Sequence, residues 1–215
     1  MNLTHYYHIY AIKDYGRIVK EHLDALERSG LAGEIDFNIG VIGDKRSRND
    51  AIALCKSKIT TNVILEEDEG WEVDTLEILS HNIPEGNILY AHTKGVTKDD
   101  ENDAWRRNMT KKLVYEWKNC IELLKTHDAT GCYWCVDNRF ENHYASLFAG
   151  HFWWATSDFL KQLPPPKEFG LTINRYVIEY WLSIKDPNIA NLLEGDLRQW
   201  LDWPGFQLPN WNTNS

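Results

Sequence analysis

An apolar, strand-like run ending in Tyr90 and Ala91 leads directly into His92, Thr93, Lys94 and Gly95. Those residue types suit a diphosphate. Lysine offers a point charge, threonine a hydroxyl, and glycine lets the backbone come close. The spacing is neither a Walker A loop nor a dinucleotide fingerprint, and a plain polar turn is the alternative. Trp105-Arg106-Arg107 opens the longest helical pattern. Arginine there opposes the helix dipole, so pairing with an anion explains it better than dipole chemistry does. Solvated pairing with Asp99, Asp100, Glu101 and Asp103 is the alternative.

Phe148-Ala149-Gly150-His151-Phe152-Trp153-Trp154 joins a small-residue step to a block of aromatic rings. Alternation sets Phe152 and Trp154 on one face, His151 and Trp153 on the other. One face is expected in the core, and the other is expected to meet a sugar. Two carboxylates are candidate bases for a hydroxyl. Asp137 closes a strand expected over 131–137. Glu179 lies on a helical stretch with Trp181, where pairing with Arg175 at i,i+4 is the plain alternative. The acidic run Glu66 to Glu69 reads first as a solvated loop and second as a hard-cation site.

These residues need a frame. Residues 6–12, 35–43, 62–65 and 87–92 read as strands. Helical patterns at 16–29, 49–56 and 74–80 separate them. In the first helix Ile18, His22 and Leu26 share a face with Val19 and Leu23. This alternation predicts a mainly parallel, mixed sheet with helices on both faces. Ligands of such sheets sit at the carboxyl ends of the strands. That points to Ala11–Asp14, Gly43–Arg48, Glu66–Trp71 and His92–Val96. A single helix is expected over 103–125, because Trp105, Met109, Leu113, Trp117 and Ile121 step by four. Further helices are expected near 172–184 and 189–202. Residues 1–203 read as one domain. Residues 204–215 read as a tail, or the start of a linker to further domains.

A chain of 215 residues with formal charge −9 offers no basic face for nucleic acid. No run approaches the ~20 apolar residues of a membrane span, and the polar-aromatic N-terminus is not a signal peptide. A cytoplasmic protein is expected. Cys132-Tyr-Trp-Cys135 falls in a strand-like run, so structural thiols are favoured over redox or zinc chemistry. The 10 Trp and 10 Tyr fit sugar stacking or simply a large core.

The order His92-Thr-Lys-Gly, Trp105-Arg106, then Phe148-Ala-Gly-His-Phe-Trp-Trp-Ala resembles the bacterial rhamnan-synthesis glycosyltransferases. It is closer still to the N-terminal domain of a large chlorovirus glycosyltransferase with a GT-A fold, over most of the chain. The resemblance implies a GT-A-like sheet and transfer of rhamnose or glucose. The donor would be UDP- or dTDP-linked and the acceptor a glycan. The donor would lie over Tyr10, Ala11, Ile12, Gly43 and Arg48. His92, Thr93, Lys94, Gly95 and Arg106 would meet its diphosphate. His151, Trp153 and Trp154 would face the acceptor, with Asp137 or Glu179 as base. If viral, the protein would work in the host cytoplasm. Many GT-A enzymes hold Mn2+ or Mg2+ with an Asp-x-Asp, and here that place reads Ala91-His92-Thr93-Lys94. Either a divalent cation assists by another route, or Lys94 replaces its charge. A non-catalytic module binding glycan or nucleotide sugar is the competing reading. Nucleotidyl transfer fits less well, since no Gly-rich basic loop follows the first strand.

Overall fold

The computed structural model describes residues 2–97, 103–136, 146–168 and 177–193. Among them a seven-stranded sheet forms the centre, ordered β3-β2-β1-β4-β8-β5-β9. Strands β1 (Leu3–Tyr10), β2 (Ile35–Ile42), β3 (Thr61–Glu67) and β4 (Asn87–His92) run parallel. β8 (Trp153–Thr156) is antiparallel to both β4 and β5 (Ala129–Gly131), and β9 (Ile189–Asn191) is parallel to β5. The expected mixed, mainly parallel sheet is therefore present. β6 (Trp134–Val136) and β7 (Ser146–Phe148) form a separate two-stranded ribbon.

Helices cover both faces of the sheet, so its inward positions on each side are core. α1 (Tyr15–Arg28) buries Ile18, Val19, His22, Leu23, Ala25 and Leu26, the face its spacing predicts. It packs on the side of β1 that carries His5 and Tyr7. α2 (Lys45–Lys56) starts earlier than its apolar pattern suggested. Asp44 caps it by accepting from the Arg46 and Ser47 amides. α3 (Glu72–His81) covers the opposite face, above Tyr6, Ile88 and Tyr90. There β2 passes so close that a Cβ on Gly40 would lie 2.1 Å from the Thr75 hydroxyl oxygen. That hydroxyl is bonded to His8 Nδ1 at 2.8 Å.

Three expected elements differ. The single helix over 103–125 is broken into α4 (Asp103–Thr110), a π-helix (Lys111–Tyr115) and α5 (Trp117–Leu123). A step of four drifts about 40° per step on a 3.6-residue helix. The wider turn absorbs part of that drift and keeps Met109, Leu113 and Ile121 buried. The strand expected over 131–137 is two strands, because Tyr133 takes a left-handed φ of 59° between them. Residues 189–191 are strand and not helix. Asp128 and Thr126 anchor Asn188, which delivers the next residues to the edge of β5. A 3-10 helix spans Val177–Lys185. A short α6 (Ser157–Leu160) follows β8. Residues 204–215 lie outside the described residues. Among the described residues no helix is long and apolar enough to cross a membrane.

Beneath α1 the Nε2 atoms of His5 and His22 are 2.7 Å apart. His5 Nδ1 donates to the Leu89 carbonyl, so His22 must supply the proton between the two rings. Burial pulls His5 down to about 3 and His22 well below its usual value. Burial likewise pulls His8 down to about 4, with Glu72 and Asp74 opposing. The unfolded chain binds these protons near pH 6.5 and the folded chain does not. Their contribution is therefore complete above that pH and is lost as pH falls toward the folded values. Each should add a slope of up to about 1.4 kcal/mol per pH unit. Urea unfolding from about pH 7 to about pH 4 should show stability declining already below pH ~6.5. A flat profile down to the carboxylate range would refute this.

Candidate active site

The strand order reverses direction between β1 and β4, and the carboxyl ends at such a reversal are where open α/β sheets bind ligands. Thr93 ties the two strand ends together. Its amide donates to His8 O at 3.0 Å, and its hydroxyl accepts from the Tyr10 amide at 2.9 Å. Tyr10, Ala11, Ile12 and His92 to Gly95 thus do meet at one place. Gly43 joins them, because a Cβ there would sit 2.9 Å from the Ala11 carbonyl. Ala11 itself is fully buried, so its contribution is backbone shape.

Beyond Thr93 the chain turns, with Gly95 at φ 88°. Lys94 projects from this turn, and its Nζ lies 4.6 Å from the centre of the Trp105 ring. It has no carboxylate partner among the described residues, in contrast to the other cations proposed for the site. Arg106 is spent on Glu21 (2.9 Å), Asp103 (2.7 Å) and the Lys94 carbonyl (3.0 Å). Burial of a guanidinium requires such pairing. Arg106 therefore shapes the Lys94 turn from behind, which corrects its expected role as a direct anion contact. Arg48 is similarly committed, to Gly43 O, Glu66 and Asp68. That pairing accounts for part of the acidic run after β3.

The residue that sequence reasoning missed is Glu72, the first residue of α3. Its Oε1 accepts from His151 Nδ1 at 2.6 Å, and its Oε2 lies 3.3 Å from His92 Nδ1. His92 Nε2 meets the Gly150 carbonyl at 3.0 Å. His92 thus faces acceptors on both nitrogens. As a neutral ring it donates to one of them, and as imidazolium to both. Burial pulls it down to about 4, against the opposing influence of Glu72. Burial alone would raise Glu72, but His92 and His151 outweigh it and hold the carboxyl below its usual range. The N-terminus of α3 also favours this anion. The available signal was an acidic residue opening a helix at a strand's carboxyl end, next to the exposed Trp71.

His151 occupies a left-handed position (φ 56°) just after Gly150 (φ 94°), in the turn before β8. A Cβ on Gly150 would approach the Met109 sulfur to 2.8 Å, so the turn is closely packed. The expected alternation holds, yet both faces are core. Trp153 packs on Tyr90 and Trp181, while Trp154 lies on the other face and donates to the Leu113 carbonyl at 2.9 Å. Neither ring is exposed, so Trp153 and Trp154 are not an acceptor platform; a sheet covered on both sides leaves them no solvent face. His151 is equally buried, and its role is to hold Glu72. Its Nε2 and the Trp153 Nε1 have no hydrogen-bond partner among the described residues.

Glu179 is half-buried on the 3-10 helix, near enough to Tyr90 to add to the upward shift that burial imposes on that phenol. Asp137 and Arg175 lie outside the described residues. Among the described residues no group of three or more His, Cys, Asp and Glu side chains is placed to hold a metal ion. Cys55, Cys120 and Cys132 are buried thiols pushed up to about 12, in keeping with structural cysteines.

A family model described as Domain of unknown function (DUF8361) matches residues 6–201. The chain belongs to this family. No curated protein matches the sequence. Among solved structures, S. aureus TarS 1-349 superposes with a TM-score of 0.52 at 10% identity, covering 91% of this chain and 59% of that one. The present chain therefore spans less than two thirds of TarS 1-349. TarS 1-349 has also been solved in complex with UDP-GlcNAc. An active-site mutant of LgtC gives 0.49 at 12% identity, covering 89% of this chain and 72% of that one. The 4-diphosphocytidyl-2C-methyl-D-erythritol synthase of Anaerococcus prevotii gives 0.49 at 10%, covering 90% and 89%. The fold assignment rests on the first of these, and the fold is GT-A-like.

Proposed function

We propose that this chain transfers a sugar from a nucleotide diphosphate donor, UDP-linked, to a glycan acceptor. The observation that carries the reading is the turn at the carboxyl ends of β1 and β4, where the strand order reverses. It presents Lys94, free of carboxylates among the described residues, beside a glycine turn at the strand end where this fold class binds ligands. The UDP-GlcNAc complex of TarS, which shares the fold, supports a nucleotide-sugar donor.

In this reading Lys94 offsets charge developing on the leaving diphosphate, and the Gly95 turn lets the phosphates approach the backbone. Tyr10 to Ile12 and Gly43 line the nucleoside side. Exposed Trp71 offers a ring face at the same rim. Glu72 holds His92 and so fixes the start of the phosphate turn. The base for the acceptor hydroxyl, if configuration inverts, is Asp137 or Glu179. The transferred sugar is rhamnose or glucose, on the strength of the motif resemblance. A Mn2+ or Mg2+ ion would add to the Lys94 charge on the diphosphate.

A thermal-unfolding panel of UDP-, dTDP- and GDP-sugars, each with and without Mn2+, tests this. A ligand at about 100 times its Kd stabilises the native state by about 2.7 kcal/mol. The expected result is a raised midpoint with UDP-sugars, together with release of UDP when glycan is added. The Mn2+ arm reports whether a cation strengthens binding. Stabilisation by glycan alone, with no response to any nucleotide sugar, would favour the binding-module reading.

A further inference from the structure

The burial of Trp153 and Trp154 leaves the acceptor without the platform expected for it. A different surface has the required chemistry. Between α1 and the α4–π-helix segment lies a cleft of about 310 Å³. Its inner end is formed by His92 and Phe152, so it leads toward the phosphate turn. Its floor includes Tyr7, whose ring is stacked on His22 and whose hydroxyl makes no hydrogen bond among the described residues. At the rim Tyr115 is 45% exposed, one of two large hydrophobic side chains so exposed among the described residues. It sits on the last position of the π-helix, a deviation that occurs often at functional sites.

The charges define the ligand class. Arg28, Arg106 and Arg107 line the cleft with Glu21 and Asp24. Glu21 is already paired with Arg106 and Arg107, and Asp24 with Lys20 and Lys58. Three arginines against two carboxylates leave a net charge of about +1, carried by Arg28, which makes no ion pair among the described residues; the other charged groups are already paired, so the cleft offers mainly hydrogen-bonding positions suited to hydroxyl groups. Paired carboxylates and guanidiniums keep spare acceptors and donors at fixed angles, and an exposed ring beside them can cover the C–H face of a pyranose. The volume is at the lower end for small-molecule sites, enough for one sugar ring.

We propose that this cleft is a carbohydrate subsite that holds one sugar residue of the acceptor glycan, with Tyr115 stacking on it. The word acceptor rests on the transferase reading above with Asp137 as its base, since Glu179 lies beside Tyr90 on the opposite face of the sheet; the binding itself rests on neither. Saturation-transfer NMR with methyl β-D-glucopyranoside and methyl α-L-rhamnopyranoside tests it, alongside calorimetry with UDP-glucose. At least one glycoside should receive saturation from the wild-type chain. Tyr115→Ala should weaken that binding at least about tenfold, equivalent to about 1.4 kcal/mol, and leave UDP-glucose affinity unchanged. Tyr115→Phe keeps the ring and should retain binding. Because Tyr115 is exposed, both variants should unfold at the wild-type midpoint. No transfer to either glycoside, unchanged binding in Tyr115→Ala, or displacement of the glycoside by UDP-glucose would each overturn the proposal. Glycoside binding without any UDP-glucose binding would leave the subsite standing and remove the donor reading instead.

Discussion

Lys94→Ala is expected to reduce sugar transfer by about 10²–10³-fold while the protein stays folded. That range is typical when one preorganised group facing developing charge is removed. The geometry explains why the loss should be catalytic and not structural. Lys94 makes no carboxylate pair among the described residues, and its visible contact is the Trp105 ring at 4.6 Å. Its backbone carbonyl, which Arg106 holds at 3.0 Å, remains in the variant. The turn should therefore keep its shape. Lys94→Arg should recover only part of the activity, because a planar fork replaces a compact charge. UDP release measured at matched unfolding midpoints checks the expectation. Full activity in Lys94→Ala would remove Lys94 from the diphosphate.

Glu72→Ala is expected to lower unfolding free energy by about 1–3 kcal/mol, the usual cost of leaving a buried donor without its acceptor. The loss strands two imidazoles at once. His151 Nδ1 loses its acceptor at 2.6 Å, and His92 loses the carboxylate at 3.3 Å. Since His92 begins the phosphate turn, donor affinity should fall together with stability. Glu72→Gln separates the two effects. It keeps the shape and one acceptor for His151, so most of the stability should remain. It removes the charge that supports a protonated His92, so the acid side of the activity profile should move. Urea unfolding and a pH profile of transfer measure the two. A Glu72→Ala protein as stable as wild type would show that the histidines find other partners.

The strand–helix alternation was legible because it is local. Apolar residues recurring at helical spacing buried the face of α1 that they marked, and the strand at 87–92 has the bounds its pattern gave. The strand-end rule also brought loops far apart in sequence to one edge, since parallel strands place all their carboxyl ends there. Period also placed Trp153 and Trp154 on opposite faces correctly. It could not say that both faces are covered, because alternation reports direction and not what lies there.

The remainder was decided by pairing across the sheet. Glu72 and His151 are 79 positions apart, and they meet because β8 inserts beside β4 in the order β1-β4-β8. Arg106 reaches Glu21, 85 positions away, because α4 returns over α1. The local pair of Arg106 with Asp103 was one of the alternatives its spacing offered, whereas nothing in that spacing points to Glu21. The sequence by itself determined the kind of sheet, the edge on which the carboxyl ends of its parallel strands gather and the presence of Lys94 in the turn there. Tertiary structure decided which charges remain available. Burial makes every unpaired charge costly, so long-range partners, which a linear pattern does not contain, settle which cations are already paired among the described residues.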